Sequence, residues 1–300
     1  MTYSIVARDP KTGELGVAVQ SHYFSVGSVV TWARAGVGAV ATQSMVEVSY
    51  GPLGLDLMAG GKSAEEALNA LLKADPKAEV RQVAMVDSKG NVTVHTGKKC
   101  IPYAGHITGD QFSCEANLMS NDRIWGAMQK AYTKNSDLLF PERLIATLEA
   151  AEAEGGDIRG KQSAAILVVS PDLYPNYWQG RILELRVEDS NEPLPELKRL
   201  LRLKRGYEWG EKGDEFLSSG KFKESQEAFK MAWSYAPEIE ELKYWEGVSL
   251  LESGRGSEAT PILRTIFKKD PRWIQVTKSL KEIGMINSDD ATLSALYSNL

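Results

Sequence analysis

Four strand-like runs arrive in this chain before the first helical one, and that order restricts the fold more than any other feature. Ile5-Val6-Ala7 and Gly16-Val17-Ala18-Val19 flank Asp9-Pro10-Lys11-Thr12-Gly13. Proline and glycine set a hairpin turn there, between runs short enough for strands covered on both faces. Further strands are predicted over 28–34 and 38–42, split by Ala35-Gly36-Val37. Helix begins near Gly51-Pro52, with proline in the first turn, and stops at Gly60-Gly61. Ser63 and Glu66 form a capping box for a second helix, which Asp75-Pro76 ends. Its Ala64, Ala67, Leu68, Leu71 and Leu72 share one face.

Strands resume over 80–86 and 92–96, Cys100 to Gly109 reads as loop, and 111–116 reads as strand. Helices over about 122–133 and 141–154 precede strands at 163–169 and 181–187. Helices bunched in pairs between runs of strands do not fit alternating βα units. The pattern predicts an α+β fold in which two antiparallel sheets lie face to face with a helix pair outside each.

Composition shifts at Glu188-Asp189-Ser190-Asn191-Glu192-Pro193-Leu194-Pro195, and everything beyond reads as helix. The expected organisation is a domain over 1–189, a linker with a leading helix over 190–205, and a helical domain over 206–300. That last third repeats with a period of 34 residues. Gly213 matches Gly247, Gly220 matches Gly254, Ala232 matches Ile266 and Pro237 matches Pro271. Trp209, Gly213, Phe222 and Pro237 fit the tetratricopeptide pattern, although Gly256 stands in the second copy where Phe222 stands in the first. Small residues let paired helices cross closely and large apolar ones fill between repeats. A groove for a protein or peptide partner is expected from such repeats.

A formal net charge of −5 carries no basic footprint for nucleic acid, and no apolar run is long enough to span a membrane. With no signal-peptide pattern at the start and only Cys100 and Cys114 to oxidise, a cytoplasmic protein with reduced thiols is expected. His22, His95 and His106 match no metal-ligand spacing, so neither a metal nor a cofactor is predicted.

The most reactive pattern is at the start. If Met1 is removed, Thr2 carries a free α-amine and a hydroxyl on one residue, and the amine can accept the hydroxyl proton. Asn117, just past the 111–116 strand, is a candidate to orient that amine or a substrate carbonyl. Asp157, Arg159, Gln162 and Ser163 precede a strand expected beside the first, where they line the pocket or form a structural ion pair.

Thr2-Tyr3-Ser4-Ile5-Val6-Ala7-Arg8-Asp9, Gly36-Val37-Gly38-Ala39-Val40-Ala41-Thr42-Gln43, Tyr50-Gly51-Pro52 and Arg159-Gly160-Lys161-Gln162-Ser163-Ala164-Ala165 resemble a domain-of-unknown-function family of the N-terminal-nucleophile (Ntn) hydrolase superfamily. The resemblance spans roughly 2–187 and implies the four-layer αββα sandwich of proteasome β-subunits. It implies no established reaction or substrate; the enzyme expectation is an amide-bond hydrolase acting on a small amide or a peptide, with Thr2 as nucleophile and Gln43 and Ser44 at the turn where proteasome-like enzymes present oxyanion-binding backbone N–H groups. It also allows a homo-oligomer, because proteasome-like relatives form rings. Two departures stand out. No lysine lies between Lys11 and Lys62, leaving Arg34 as the nearest cation and the candidate to stabilise the deprotonated nucleophile, and Gln20-Ser21, candidates to bind substrate, replace the acid expected after the second strand. The competing expectation is a non-catalytic Ntn-like scaffold that recruits a partner through its repeats.

Overall fold

The computed structural model describes residues 2–298; the retention or removal of Met1 therefore lies outside the described residues. Two compact units divide between Arg199 and Leu200.

In the first unit, β1 (Thr2–Arg8), β2 (Leu15–Ser21), β3 (Thr31–Arg34) and β4 (Gly38–Ser44) precede α1 (Tyr50–Ala59) and α2 (Ala64–Ala74). Then come β5 (Arg81–Asp87), β6 (Val92–Thr96), β7 (Gly105–Gly109), β8 (Phe112–Asn117), α3 (Ile124–Lys134), α4 (Phe140–Ala153), β9 (Ser163–Val169) and β10 (Arg181–Val187). They form a six-stranded sheet ordered β10-β9-β2-β1-β8-β7 and a four-stranded sheet ordered β3-β4-β5-β6. All of these pairings are antiparallel.

The two sheets face one another across a core that includes Val6, Val17, Val19, Ala39, Ala41, Ala84 and Val86. The helices α1 and α2 cover the outer face of the four-stranded sheet through Leu55, Met58, Leu68, Val40 and Met85. On the outer face of the other sheet lie α3 and α4, and Tyr3 Oη of β1 donates to Glu152 Oε2 of α4 at 2.6 Å. Covered on both faces, β1 buries residues of both alternations, which is why its apolar run lacks a polar side. The Ser63–Glu66 capping box closes as expected, with Ser63 N–H to Glu66 Oε2 at 2.8 Å and Glu66 N–H to Ser63 Oγ at 3.2 Å.

Three expectations change. The stretch Cys100 to Gly109 is not all loop, because β7 occupies its end as a half-exposed edge strand too short for an alternation to register. Second, β9 does not run beside the first strand: it pairs with β2, since β8 takes the free side of β1. Third, no break separates a leading helix from the repeats. A continuous α5 runs from Pro193 to Ser218, with Pro193 at its first residue, where a missing N–H costs no hydrogen bond.

The second unit contains the rest of α5, α6 (Phe222–Tyr235), α7 (Glu240–Glu252), α8 (Gly256–Lys269), α9 (Arg272–Glu282) and α10 (Asp290–Tyr297). Helix α8 starts and ends 34 residues after α6. The close approaches repeat as well. A Cβ on Gly213 would lie 2.7 Å from the Phe229 ring, and one on Gly247 would lie 2.7 Å from Leu263 Cδ2, so at either position a larger residue would force the neighbouring helix's side chain to shift.

Candidate active site

Residues opposite one another in paired strands share a face. Across the six-stranded sheet, Ser163, Ser21, Thr2 and Asn117 therefore form one row, from β9 through β2 and β1 to β8. Facing them from the four-stranded sheet is the row Gln43, Gln82 and Thr96. One row further in lie Ala165, Val19, Ser4 and Glu115, and beyond those the interior is mostly aliphatic. One end of the space between the sheets is thus polar, and Thr2 is at its centre.

Amides stitch this end together. Gln43 Nε2 donates to Gln82 Oε1 at 2.8 Å and to the Thr2 carbonyl at 3.3 Å. Asn117 Nδ2 donates to Gln82 Oε1 at 2.9 Å and to the Thr2 carbonyl at 3.4 Å. Gln82 Nε2 donates to Thr96 Oγ1 at 2.9 Å and to the Ala116 carbonyl at 3.0 Å. Thr2 itself is 4% exposed, and its hydroxyl donates to Ser21 Oγ at 3.1 Å.

Ser4 and Glu115 lie beneath. Ser4 Oγ is 2.7 Å from Gln43 Oε1 and 2.8 Å from Glu115 Oε1, yet a hydroxyl has one proton to give. A neutral Glu115 resolves the shortage: its own O–H donates to Ser4, Ser4 donates to Gln43, and Ser113 Oγ donates to Glu115 Oε2 at 3.0 Å. Burial acts in the same direction, pushing the Glu115 carboxyl up from an ordinary 4.5 to about 8 against the lowering effect of the serine hydrogen bonds.

Two of the three strands that carry these amides end at a left-handed residue, Ser44 (φ 72°) after Gln43 and Leu118 (φ 54°) after Asn117. Non-glycine residues there carry backbone strain of order 1–3 kcal/mol. Ser44 Oγ is buried without a hydrogen-bond partner. Ser44, Thr2 and Gln43 are among the residues that line a small cavity, with Val26, Val29, Val30 and Val46.

The structure brings Thr2, Ser21, Gln43, Ser44 and Asn117 together and sends the other candidates elsewhere. Gln20 pairs opposite Tyr3, and strand alternation puts both on the outer face, away from the Thr2 hydroxyl. Asp157 is buried in an ion pair with Arg159 (2.7 Å) and accepts the His22 N–H at 3.2 Å, so the pair holds the chain after β2. Ser163 is in the Thr2 row, but its Oγ is committed to Val26 N–H (3.0 Å) and the Tyr23 carbonyl, fixing the loop that walls the cavity. The Gln162 side chain points outward to Asp189 at 3.0 Å.

Arg34 pairs with Asp56 at 2.7 Å and lies opposite Gly38, at the far end of β4 from Gln43. Five residues of strand separate the two levels, roughly 17 Å at about 3.4 Å per residue. Arg34→Ala is therefore expected to leave the reactivity of Thr2 unchanged and to cost under about 1 kcal/mol, as exposed ion pairs do. Parallel labelling and urea titrations of the variant check this, and a tenfold drop in labelling would contradict it.

Ser4, Gln82 and Glu115 were not singled out from sequence. The available signal was Ser113, Glu115 and Asn117 at alternate positions of a strand with no exposed side. Among the described residues, no group of three or more His, Cys, Asp or Glu can hold a metal. Likewise, no helix is long and apolar enough to cross a membrane.

The model of a family of unknown function, DUF1028, matches residues 2–197. The crystal structure of protein SPO2555 from Silicibacter pomeroyi, which carries the same family label, is similar at 31% sequence identity and a TM-score of 0.60. That similarity covers 67% of this chain and 88% of the other. No curated protein matches.

Proposed function

We propose that this chain, which belongs to the DUF1028 family of unknown function, is an N-terminal-nucleophile amide-bond hydrolase once Met1 is removed. One observation carries the reading: the polar end of an otherwise aliphatic interior is centred on Thr2, the first residue that a processed chain would present. The layer order of helix pair, sheet, sheet, helix pair agrees with the αββα sandwich of the Ntn superfamily.

In this mechanism the freed α-amine takes the Thr2 hydroxyl proton as Oγ1 attacks the substrate carbonyl carbon. The proton passes to the leaving nitrogen as the C–N bond breaks, leaving an ester on Thr2. Water, deprotonated by the same amine, cleaves the ester and restores the hydroxyl. The amine supplies the base that the absent lysine does not. Gln43 is expected to set the position of Thr2 through its carbonyl rather than to touch the substrate, because its amide hydrogens are already engaged. The candidate oxyanion donors are backbone N–H groups of the turn at Gln43 and Ser44, residues that line the small cavity beside Thr2.

The test of the reading is the intact mass of the protein from its native source, followed by β-lactone labelling with the modified residue mapped. Loss of the Met1 mass and one adduct on Thr2 are expected. Retained Met1 refutes the reading.

A second reading rests on the 34-residue spacing of α6 and α8 with their matched glycine contacts, which favours a tetratricopeptide-like tail. In it the first unit is a non-catalytic scaffold and the tail recruits a protein or peptide partner. Processing of Met1 separates the two.

A further inference from the structure

We infer that Arg81 is a positioning residue for the turn after β4, whose backbone N–H groups are the candidate oxyanion donors; this rests on Thr2 being the nucleophile. Arg81 opens β5 and pairs opposite Ser44, one residue beyond Gln43. Strand alternation sends Gln82 into the polar end between the sheets and Arg81 to the other face, where α1 and α2 lie. Its side chain there is only 10% exposed, and the guanidinium fork reaches two ways. Nε donates to Oδ2 of Asp75, the C-cap of α2, at 2.8 Å, and Nη1 donates to the Met45 carbonyl at 2.6 Å. Met45 N–H donates in turn to the Val80 carbonyl at 3.3 Å, so both polar groups of the Met45 backbone are tied to the start of β5.

A cation this buried has lost most of its water and needs partners for its N–H groups. Arg81 finds them in the turn between β4 and α1 and at the end of α2. Its remaining nitrogen, Nη2, lies 3.8 Å from the Glu47 carboxylate. The Glu47 carbonyl accepts from Thr42 Oγ1 at 3.0 Å, and Glu47 Oε1 accepts from Ser49 Oγ at 2.8 Å. Tyr50 Oη donates to Asp75 Oδ2 at 3.1 Å. One guanidinium thus joins the turn, the first residue of α1 and the cap of α2.

The turn needs such a brace. Ser44 sits at φ 72°, a conformation that a non-glycine residue keeps only where its surroundings over-determine it. Without the Arg81 bond the Met45 carbonyl can swing and Ser44 can relax toward extended backbone. Peptide units are planar and trans, so each rotated carbonyl carries the N–H of its unit with it. In the Met45–Val46 unit the carbonyl is drawn to Arg81, which turns the Val46 N–H the opposite way. Val46 lines the small cavity with Thr2, Gln43 and Ser44. Oxyanion donors work by being fixed before the charge develops, so a brace on this turn bears on the rate without touching the substrate. Arg34, paired opposite Gly38 at the far end of β4, cannot supply it.

The experiment uses full-length protein whose mass shows Met1 removed, and compares two reactions at Thr2. A β-lactone acylates Oγ1 through a tetrahedral oxyanion. Periodate cleaves the Cα–Cβ bond of an N-terminal threonine and forms no such oxyanion. Intact mass follows both, at a temperature where circular dichroism shows every variant folded. Arg81→Lys keeps the charge, but one ammonium cannot reproduce the fork that holds Asp75 and the Met45 carbonyl together. It is expected to slow lactone labelling at least tenfold and to leave the periodate rate within threefold. Asp75→Asn keeps an acceptor for Nε and leaves the Nη1 bond to Met45 in place, so its labelling is expected to stay within threefold of the unaltered protein. Lactone labelling of Arg81→Lys at the unaltered rate overturns the inference. So does an equal fall of both reactions, which means a general loosening around Thr2. A loss in Asp75→Asn that matches Arg81→Lys also overturns it, by assigning the effect to the α2 contact. If the unaltered protein reacts with periodate at Thr2 but takes no lactone, the nucleophile falls and this inference with it.

Discussion

Replacing Thr2 by alanine is expected to abolish labelling and hydrolysis, a loss of at least about 10³-fold, while the protein stays folded. The proposed mechanism needs the hydroxyl oxygen as the attacking atom, and in it no neighbour replaces that oxygen. Ser21 Oγ lies 3.1 Å away but carries no α-amine to take its proton. Removing the nucleophile costs most of an enzyme's acceleration. The structural cost is small by comparison. Thr2 gives up one buried hydroxyl hydrogen bond, of order 1 kcal/mol, and its backbone pairing to β2 and β8 is unaffected. Thr2→Ser keeps the hydroxyl and is expected to retain labelling within about tenfold. Adduct mass and melting temperature, read side by side on both variants, decide the matter. Equal labelling of the alanine variant at any residue refutes the assignment. A biological role left intact by Thr2→Ala would favour the partner-recruiting scaffold.

The second large effect concerns stability against pH. Glu115 is fully buried and titrates in the folded protein at about 8 against an ordinary 4.5. A carboxyl raised in this way contributes its full stability below about pH 4.5. That contribution is lost as pH rises toward 8, because the unfolded chain ionises freely and the folded one resists. The slope is about 1.4 kcal/mol per pH unit, so pH 5 to 8 removes on the order of 4 kcal/mol from the first unit. Glu115→Gln should flatten this slope, since a carboxamide can donate to Ser4 and accept from Ser113 as the neutral acid does. Urea midpoints of both proteins at pH 5, 6.5 and 8 make the comparison. Parallel profiles would show that Glu115 is ionised throughout. Glu115→Leu serves as the contrast: it strands the Ser113 hydroxyl and is expected to lose about 1–3 kcal/mol even at pH 5.

Local signals carried much of the fold. The turn Asp9–Gly13, the Ser63–Glu66 box, Pro141 near the start of α4 and the 34-residue spacing each act within a few residues or one repeat, so they can be read without tertiary knowledge. Strands β9 and β10 fall on their expected residues for the same reason, β9 as an apolar run and β10 as Leu183, Leu185 and Val187 alternating with Glu184 and Arg186. Pro193 misled because a proline opens a helix as readily as it ends one, and nothing local distinguishes the two cases from a linker.

The candidate site was legible in part. Thr2 was visible as a residue type in a special position and Asn117 as a polar residue just past a buried strand, while Gln43 and Ser44 came from the family resemblance. What a sequence does not contain is the choice of neighbours. Setting β8 beside β1 put Asn117 opposite Thr2 and Glu115 opposite Ser4, and it moved β9 to the far side of β2. Gln20 and Ser21, adjacent in the chain, were parted because alternation sends one to the helices and the other to the interior. Arg34 was drawn to Asp56 on α1, a partner 22 residues on that no strand pattern announces. The sequence alone therefore determined most of the elements, β7 and the unbroken α5 aside, together with the capping, the 34-residue spacing and the residue type at position 2. Only the tertiary structure decided which polar groups meet there, because sheet order and facing are set by burial of the whole interior, a global quantity that no local run of residues encodes.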